Sequence, residues 1–319
     1  MTEHCGVLIQ KIIRENVMPE ILLHQYASSP FAEKIRVCLG IKGLAWGAVD
    51  EPVIMPKPEL VALTGGYRRI PVMQIGADIY CDSQLIVREL ERRFPEPTLF
   101  PAGDRGLAYA TALWTDRVVF QAVVAIIFGG LGDKVPEAFI KDREVLRGGP
   151  FDTAAMRAAI PHMTGQIRAH VALLAEQLED GRPFLTGEFP GLADANAYYN
   201  LWFVRSAYPP AASAFDDLPH VGAWLERVRE IGHGERVEVS RDEALRIACE
   251  ADPLPAGTSS TDEMIGKQVT VGADDYGRDP VSGTLVGATE YQLSILRRES
   301  RLGEIVMHVP RIGFSLELA

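Results

Sequence analysis

The chain is short of the residues that mark several common protein classes. Among its 319 residues are four cysteines, Cys5, Cys38, Cys81 and Cys249, scattered along its length. None forms a CxxC pair, and no Cys/His cluster has zinc-ligand spacing. Neither a disulfide framework nor a bound metal is expected, and reduced thiols are the default. Basic residues are in deficit: 32 Lys and Arg face 43 Asp and Glu, for a net charge of −11 and a pI near 5.2. That balance disfavours a general nucleic-acid binder and an electrostatic anchor on a membrane, so neither is expected as a partner. The most apolar stretch, Val118 to Leu131, is interrupted by Gln121 and ends in glycines. It falls short of the ~18 to 20 residues of a spanning helix and reads as a buried core helix. Near the N-terminus, Lys11, Arg14 and Glu15 break any clean apolar run. No signal peptide is read there, and a cytoplasmic location is expected.

What is present is ordinary for a globular protein: 47% hydrophobic and 24% charged residues. At roughly 150 residues per domain, the length suggests two domains and a small appendage. Residues 1–19 read as an extension, with a short helix conceivable. Ile21 to Tyr26 reads as a strand that stops at Ala27-Ser28-Ser29-Pro30. A helix follows over 31–43, with Ile35, Cys38, Leu39 and Lys42 at helical spacing. Residues 45–53 make a second strand, so the βαβ unit predicts a parallel pair. A proline-rich loop over 52–58 precedes a hairpin, Arg69 to Ile75 and Asp78 to Tyr80, turning at Gly76-Ala77. A helix over 83–94 closes the unit. Pro71 stands at the start of a strand that must be internal, where it cannot donate to a ladder. It is best placed in a special turn that could hold a cis peptide.

After Pro95, Pro97 and Pro101 the pattern turns helical, with helices expected near 104–128, 136–147, 153–180, 192–207 and 218–231. Ala195, Tyr198, Tyr199, Trp202 and Phe203 give the fourth a wide apolar face, which puts it at the centre of a bundle. Residues 236–250 suggest one more helix, and residues 253–260 a linker. Five short strands follow, at about 268–271, 283–286, 291–296, 305–309 and 314–318. They suggest a small barrel or a twisted sheet.

The first third of this pattern resembles the cytosolic glutathione transferase superfamily. The resemblance rests on Ser28-Ser29-Pro30-Phe31-Ala32-Glu33-Lys34-Ile35-Arg36 between strand and helix, on Arg69-Ile70-Pro71-Val72, and on Asp82-Ser83 opening the next helix. It covers about residues 20–235. It implies an α/β thioredoxin-like domain that binds glutathione (20–100), then an all-α helical bundle domain (104–235). A helix and linker (236–260) and a small all-β barrel-like module (261–319) lie outside it. The family often opens its central buried helix with a Ser/Thr-x-x-Asp capping box. Here that segment is Gly191-Leu192-Ala193-Asp194, which loses little relative to Ser.

The resemblance also implies a site. Val72 would pair with the cysteinyl backbone as an added strand does, with Ser28, Ile70 and Pro71 in the same glutathione-binding set. Ser83, at a helix start, would take a carboxylate, and Asp82 the γ-glutamyl ammonium. Ser29 would donate a hydroxyl to the thiolate, with Ser28 and Tyr26 as rivals, since a free thiol at pH near 7 is mostly protonated. Lys57 and Arg69 are candidates for the glycyl carboxylate. Trp114, Arg117 and Phe120 could wall a second-substrate site, although core or dimer contacts suit them equally. No cysteine occupies the active-site turn, which favours conjugation over disulfide exchange. Cys38 and Cys81 read as core. Asp274, Asp275 and Asp279 lie close together, but match no calcium loop and read as a turn.

The expectation is therefore a glutathione transferase-like detoxifying enzyme, a homodimer, with glutathione as co-substrate, a hydrophobic electrophile as second substrate, and no metal. A non-catalytic glutathione-binding or regulatory protein of the same fold, and a glutathione-dependent thiol oxidoreductase, are the competing readings.

Overall fold

The computed structural model describes residues 18–255 and 263–319. Most of the expected N-terminal extension, with Cys5, and the middle of the linker lie outside the described residues. Strand β1 (Ile21–Gln25) is buried at all five positions. A strand covered on both faces reads as one apolar run rather than an alternation. Helix α1 (Pro30–Ile41) crosses to β2 (Ala45–Asp50), which pairs parallel with β1 from Ile21 opposite Trp46 to Gln25 opposite Asp50. The proline-rich segment ends in a short helix that sequence reading missed, α2 (Pro58–Thr64). Pro58 opens it, where a missing N–H costs nothing. The hairpin β3 (Val72–Ile75) and β4 (Asp78–Cys81) pairs antiparallel to β1 through β3, and α3 (Ser83–Arg93) follows.

The helical half contains α4 (Arg105–Trp114), a π-helical turn (Thr115–Val119), α5 (Phe120–Leu131), α6 (Glu137–Arg147), α7 (Thr153–Gln177), α8 (Leu192–Ala207) and α9 (Pro219–Ile231). Helix α8 is central, as its apolar face requires. It is capped by Asp194, whose carboxylate accepts from the Gly191 and Leu185 N–H groups and from the Trp224 indole. The run Arg105–Lys134 is continuous, and by length and apolar composition alone it could cross a bilayer. This corrects the count made on Val118 to Leu131 alone. Its residues Val123, Ile126 and Ile127 are buried in the core that joins the two halves.

The segment expected to be one helix divides into a strand and a helix. β5 (Glu235–Val239) returns to the first sheet and pairs parallel with β2, and α10 (Arg241–Cys249) follows. Alternating charge in Glu235-Arg236-Val237-Glu238 hid a strand at the sheet's edge, where one flank meets water.

Five strands come after the helices: β6 (Gln268–Ala273), β7 (Val281–Ala288), β8 (Gln292–Glu299), β9 (Gly303–Pro310) and β10 (Phe314–Leu318). Of the two forms expected, they take the open sheet. They run in the order β10-β6-β7-β8-β9, and β9 continues onto β4 as a parallel neighbour. One ten-stranded sheet results, β10-β6-β7-β8-β9-β4-β3-β1-β2-β5. A buried polar chain crosses the junction. The Ser294 hydroxyl meets His308 Nδ1 at 2.9 Å, and His308 Nε2 meets Asp78 Oδ1 at 2.8 Å.

Candidate functional site

Two adjoining cavities lie where the first sheet faces the helical half. The broad one has a volume of about 620 Å³. Ser29 stands at its wall. It caps α1 in an extended conformation, and its Oγ accepts from Ala32 N–H at 3.2 Å. The hydroxyl oxygen is thus an acceptor for the helix, which leaves its proton available to another partner. Ser29 is 1% exposed, whereas Ser28 beside it is open to solvent. Tyr26 lines the same wall. Burial raises its phenol pKa against the opposing pull of Arg143 and Ser29, so it is a neutral donor at neutral pH.

The Ile70–Pro71 peptide is cis. Ile70 lines both cavities. Among the described residues, no main-chain hydrogen bond uses its N–H or C=O. Val72 differs from expectation: it lies inside the sheet, between His24 on β1 and Cys81 on β4. Both of its flanks are occupied, so the open backbone edge is that of Ile70, one residue before the proline.

The cations near the cleft divide by their partners. Arg69 is held by the Asp275 carboxylate and lies 3.9 Å over the Tyr276 ring. Arg68 pairs with Asp142 at 3.3 Å and with Asp279 at 3.6 Å. Lys57 is 4% exposed and, among the described residues, has no carboxylate at ion-pair distance. Its ammonium reaches only the Arg68 carbonyl, at 3.5 Å, and the face of Tyr26. Burial pulls its pKa down to about 8. Of the two cations proposed from sequence, Lys57 is therefore the one free to meet an anion, and Arg69 is already paired.

The narrow cavity ends at the start of α3. Asp82 caps this helix, its Oδ1 accepting from Gln84 N–H at 2.9 Å, and adopts φ +75°, a conformation uncommon outside glycine. Burial raises its carboxyl pKa. Ser83 is 5% exposed, and its hydroxyl has no hydrogen-bond partner among the described residues.

The rest of the broad cavity mixes charged side chains, Arg143 and Arg147 among them, with an apolar group. Phe120, Val124, Ile127 and Phe203 line it, together with a cluster of Phe128, Phe139 and Phe151 whose ring centroids lie 5.0 to 6.0 Å apart. Phe120 and Arg117 face it, as the sequence suggested. Trp114 does not: it packs edge-on against His170 in the helical core, at 5.5 Å. Cys38 and Cys81 are buried, and burial pushes the Cys38 thiol up to about 12. Among the described residues no group of three or more His, Cys, Asp and Glu side chains could hold a metal. Asp274, Asp275 and Asp279 each meet an arginine instead: Arg117, Arg69 and Arg68.

Sequence reading missed Asp275 and Tyr276, which line both cavities from the far end of the chain. It also missed the aromatic cluster. The doublet Arg68-Arg69 beside a site and a distant trio of aspartates were the available signal, but nothing local joins them.

Fold and cleft together define the class: a thioredoxin-like half with a cis-proline, and a helical half, sharing one ligand cleft. Comparison with known proteins agrees. The family profile for the glutathione S-transferase N-terminal domain matches residues 23–98, and that for the C-terminal domain matches residues 157–227. A crystallised GST-like protein from Pseudomonas syringae is 35% identical. The match covers 95% of this chain and all of that one, with a TM-score of 0.78. A probable glutathione S-transferase from Oryza sativa subsp. japonica, GSTU6, is 25% identical over 217 residues, which is 63% of this chain and 81% of that protein. A glutathione S-transferase from Rhodospirillum rubrum shares the fold at 22% identity. There the TM-score is 0.51, with 74% of this chain and 94% of that one covered. The chain belongs to the glutathione S-transferase family.

Proposed function

We propose that the protein is a glutathione transferase that joins glutathione to a hydrophobic electrophile. One observation carries this reading: the capped Ser29 hydroxyl, the open Ile70 backbone and the Lys57 ammonium line one cleft that also holds an aromatic and aliphatic group from the helical half. In this reading Ile70, held by cis-Pro71 and backed by Val72, pairs with the cysteinyl backbone. Lys57 takes the glycyl carboxylate, with Arg68 and Arg69 behind it. Ser83 and the start of α3 take the γ-glutamyl carboxylate, and Asp82 its ammonium.

Glutathione's thiol gives its proton to solvent. The Ser29 hydroxyl donates to the sulfur, and the positive end of α1 adds to the effect, so the thiolate is populated near neutral pH. The sulfur then forms a bond to the electrophilic carbon, and the displaced electron pair leaves on the departing group. Phe120 and Arg117 border the electrophile.

The test is a glutathione titration followed by thiolate absorbance. Ser29→Ala is expected to raise the apparent thiol pKa by about one unit. That cuts kcat/KM at neutral pH about tenfold with an aryl halide, while Kd changes less than threefold. Equal ionisation in both proteins removes Ser29 from the role, and Tyr26→Phe then tests the rival donor. Failure of the wild type to bind millimolar glutathione sinks the function. Binding without turnover over a panel of electrophiles leaves the non-catalytic alternative. Cys38 and Cys81, buried and held as thiols, give no support to an oxidoreductase. A cytosolic homodimer belongs to the same proposal, and sedimentation equilibrium checks its assembly.

A further inference from the structure

We infer that the loop joining β6 and β7 is part of the ligand site, with Asp275 and Tyr276 as specificity-determining residues for the amino-acid end of the tripeptide. This rests on the glutathione reading above and assigns a role to strands that the family profiles do not cover.

The loop is pinned from several sides. Asp274 pairs with Arg117 at 3.4 Å, and its N–H donates to the Gly313 carbonyl at 2.9 Å. Gly277 N–H donates to the Leu146 carbonyl at 2.6 Å, and Asp279 meets Arg68. The loop therefore ties the first sheet to the π-helical turn and to α6, directly across the cleft. Gly277 has φ +57°, and a Cβ there would stand 2.9 Å from the Leu146 side chain and 3.0 Å from Arg69 Nε. The left-handed φ favours glycine, and a side chain there would push against Leu146 and Arg69, so the turn that carries Tyr276 is set by packing.

The unsatisfied groups define the ligand. In the wall of the narrow cavity, the Ser83 hydroxyl has no partner among the described residues, and its own N–H, at the start of α3, is the main-chain donor left free by the Asp82 cap. This suits a carboxylate. Two carboxylates face the same space, each with only one oxygen engaged. Asp82 uses Oδ1 for Gln84 N–H. Asp275 uses Oδ1 for Arg69 and for Tyr276 N–H at 2.7 Å. Among the described residues neither Oδ2 has a donor, which suits an ammonium between them. Asp116 also lines the cavity, but its oxygens already accept from Lys34 at 2.6 Å and from Tyr199 at 2.9 Å. Tyr276 lines both cavities, its ring stacked against Arg69. A zwitterionic amino-acid end suits this set of groups, and Tyr276 turns the rest of the ligand toward Ser29.

The test uses the full chain and calorimetry with two ligands: glutathione, and glutaryl-cysteinyl-glycine, which lacks only the α-ammonium. Wild type is expected to prefer glutathione at least tenfold. Asp275→Asn is expected to weaken glutathione about tenfold while leaving the glutaryl ligand within twofold, and Asp275→Glu to keep most of the preference. Tyr276→Ala is expected to weaken both ligands, because the wall is lost. Thermal midpoints matching the wild type show that the variants are folded; should Asp275→Asn not fold, Asp275→Ser replaces it under the same expectation. If wild type binds neither ligand, the glutathione reading fails and this inference with it. If wild type binds glutathione but Asp275→Asn changes both ligands equally or neither, this inference alone is overturned.

Discussion

Lys57 is buried at a cost to stability, in the place where the proposed reading puts the glycyl carboxylate. Its ammonium is buried without a carboxylate partner at contact distance, and burial pulls its pKa down to about 8 from an ordinary 10.5. Below about pH 8 both folded and unfolded chains carry its proton. Between about 8 and 10.5 the unfolded chain binds more protons than the folded one, so this residue makes stability rise with pH across that window. Lys57→Met removes the buried charge and is expected to stabilise the fold by roughly 1–3 kcal/mol in urea unfolding. It is also expected to weaken glutathione at least tenfold. With S-methylglutathione, which has no ionising thiol, wild-type affinity should fall above about pH 8 more steeply than that of Lys57→Met. Parallel pH profiles would remove Lys57 from the anion site. Its type and place were legible in the sequence; that it is the unpaired cation, and Arg69 a paired one, was not. Pairing depends on which distant carboxylate arrives, and Asp275 lies 206 positions from Arg69.

At the scale of elements, β4 and β9 show how the last strands are fastened. Strand β4 is short and buried at all four positions, and β9 lies parallel to it from Val306 opposite Asp78. The Asp78 carboxylate accepts from His308 and, through Oδ2, from Leu254 N–H at 2.9 Å. The Ser294-His308-Asp78 chain has the order of a hydrolytic triad. All three residues are buried and neither described cavity reaches them, so the arrangement is structural. Asp78→Ala would leave the His308 ring and the Leu254 N–H without their acceptor. The expected loss is about 3 kcal/mol in urea unfolding; a change under 1 kcal/mol would show that the polar chain does not hold the junction. Element types were largely readable: α8 from its apolar stripe, and β6 from the short run 268–271, which the structure extends to Ala273. β5 was not, because an edge strand with one wet flank lacks the apolar signature.

At the scale of the whole molecule, the sheet leaves neither edge of the thioredoxin-like half open. β5 covers β2 and β9 covers β4. The last strands also share a core with the first half, where Leu60, Leu63, Ile79 and Cys81 are buried with Leu293, Ile295, Ile305 and Met307. Ending the chain after residue 255 would bare that apolar surface together with the β4 edge. Such a surface recruits other chains. The truncated protein is expected to aggregate on expression; a soluble, monodisperse truncation with a wild-type thermal midpoint would contradict the shared core.

Most of the local order of strands and helices, α2 and β5 excepted, the serine cap on α1, the proline that opens β3 and the helix start at Ser83 were determined by sequence alone, because each depends on neighbours within one or two turns of chain. Tertiary structure decided how the last five strands attach, that Ile70 rather than Val72 offers the open edge, and that Asp275 and Tyr276 border the cleft. Those outcomes depend on contacts between segments up to 230 residues apart, such as Asp78 with His308, and no local periodicity encodes which distant edge or charge a segment will meet.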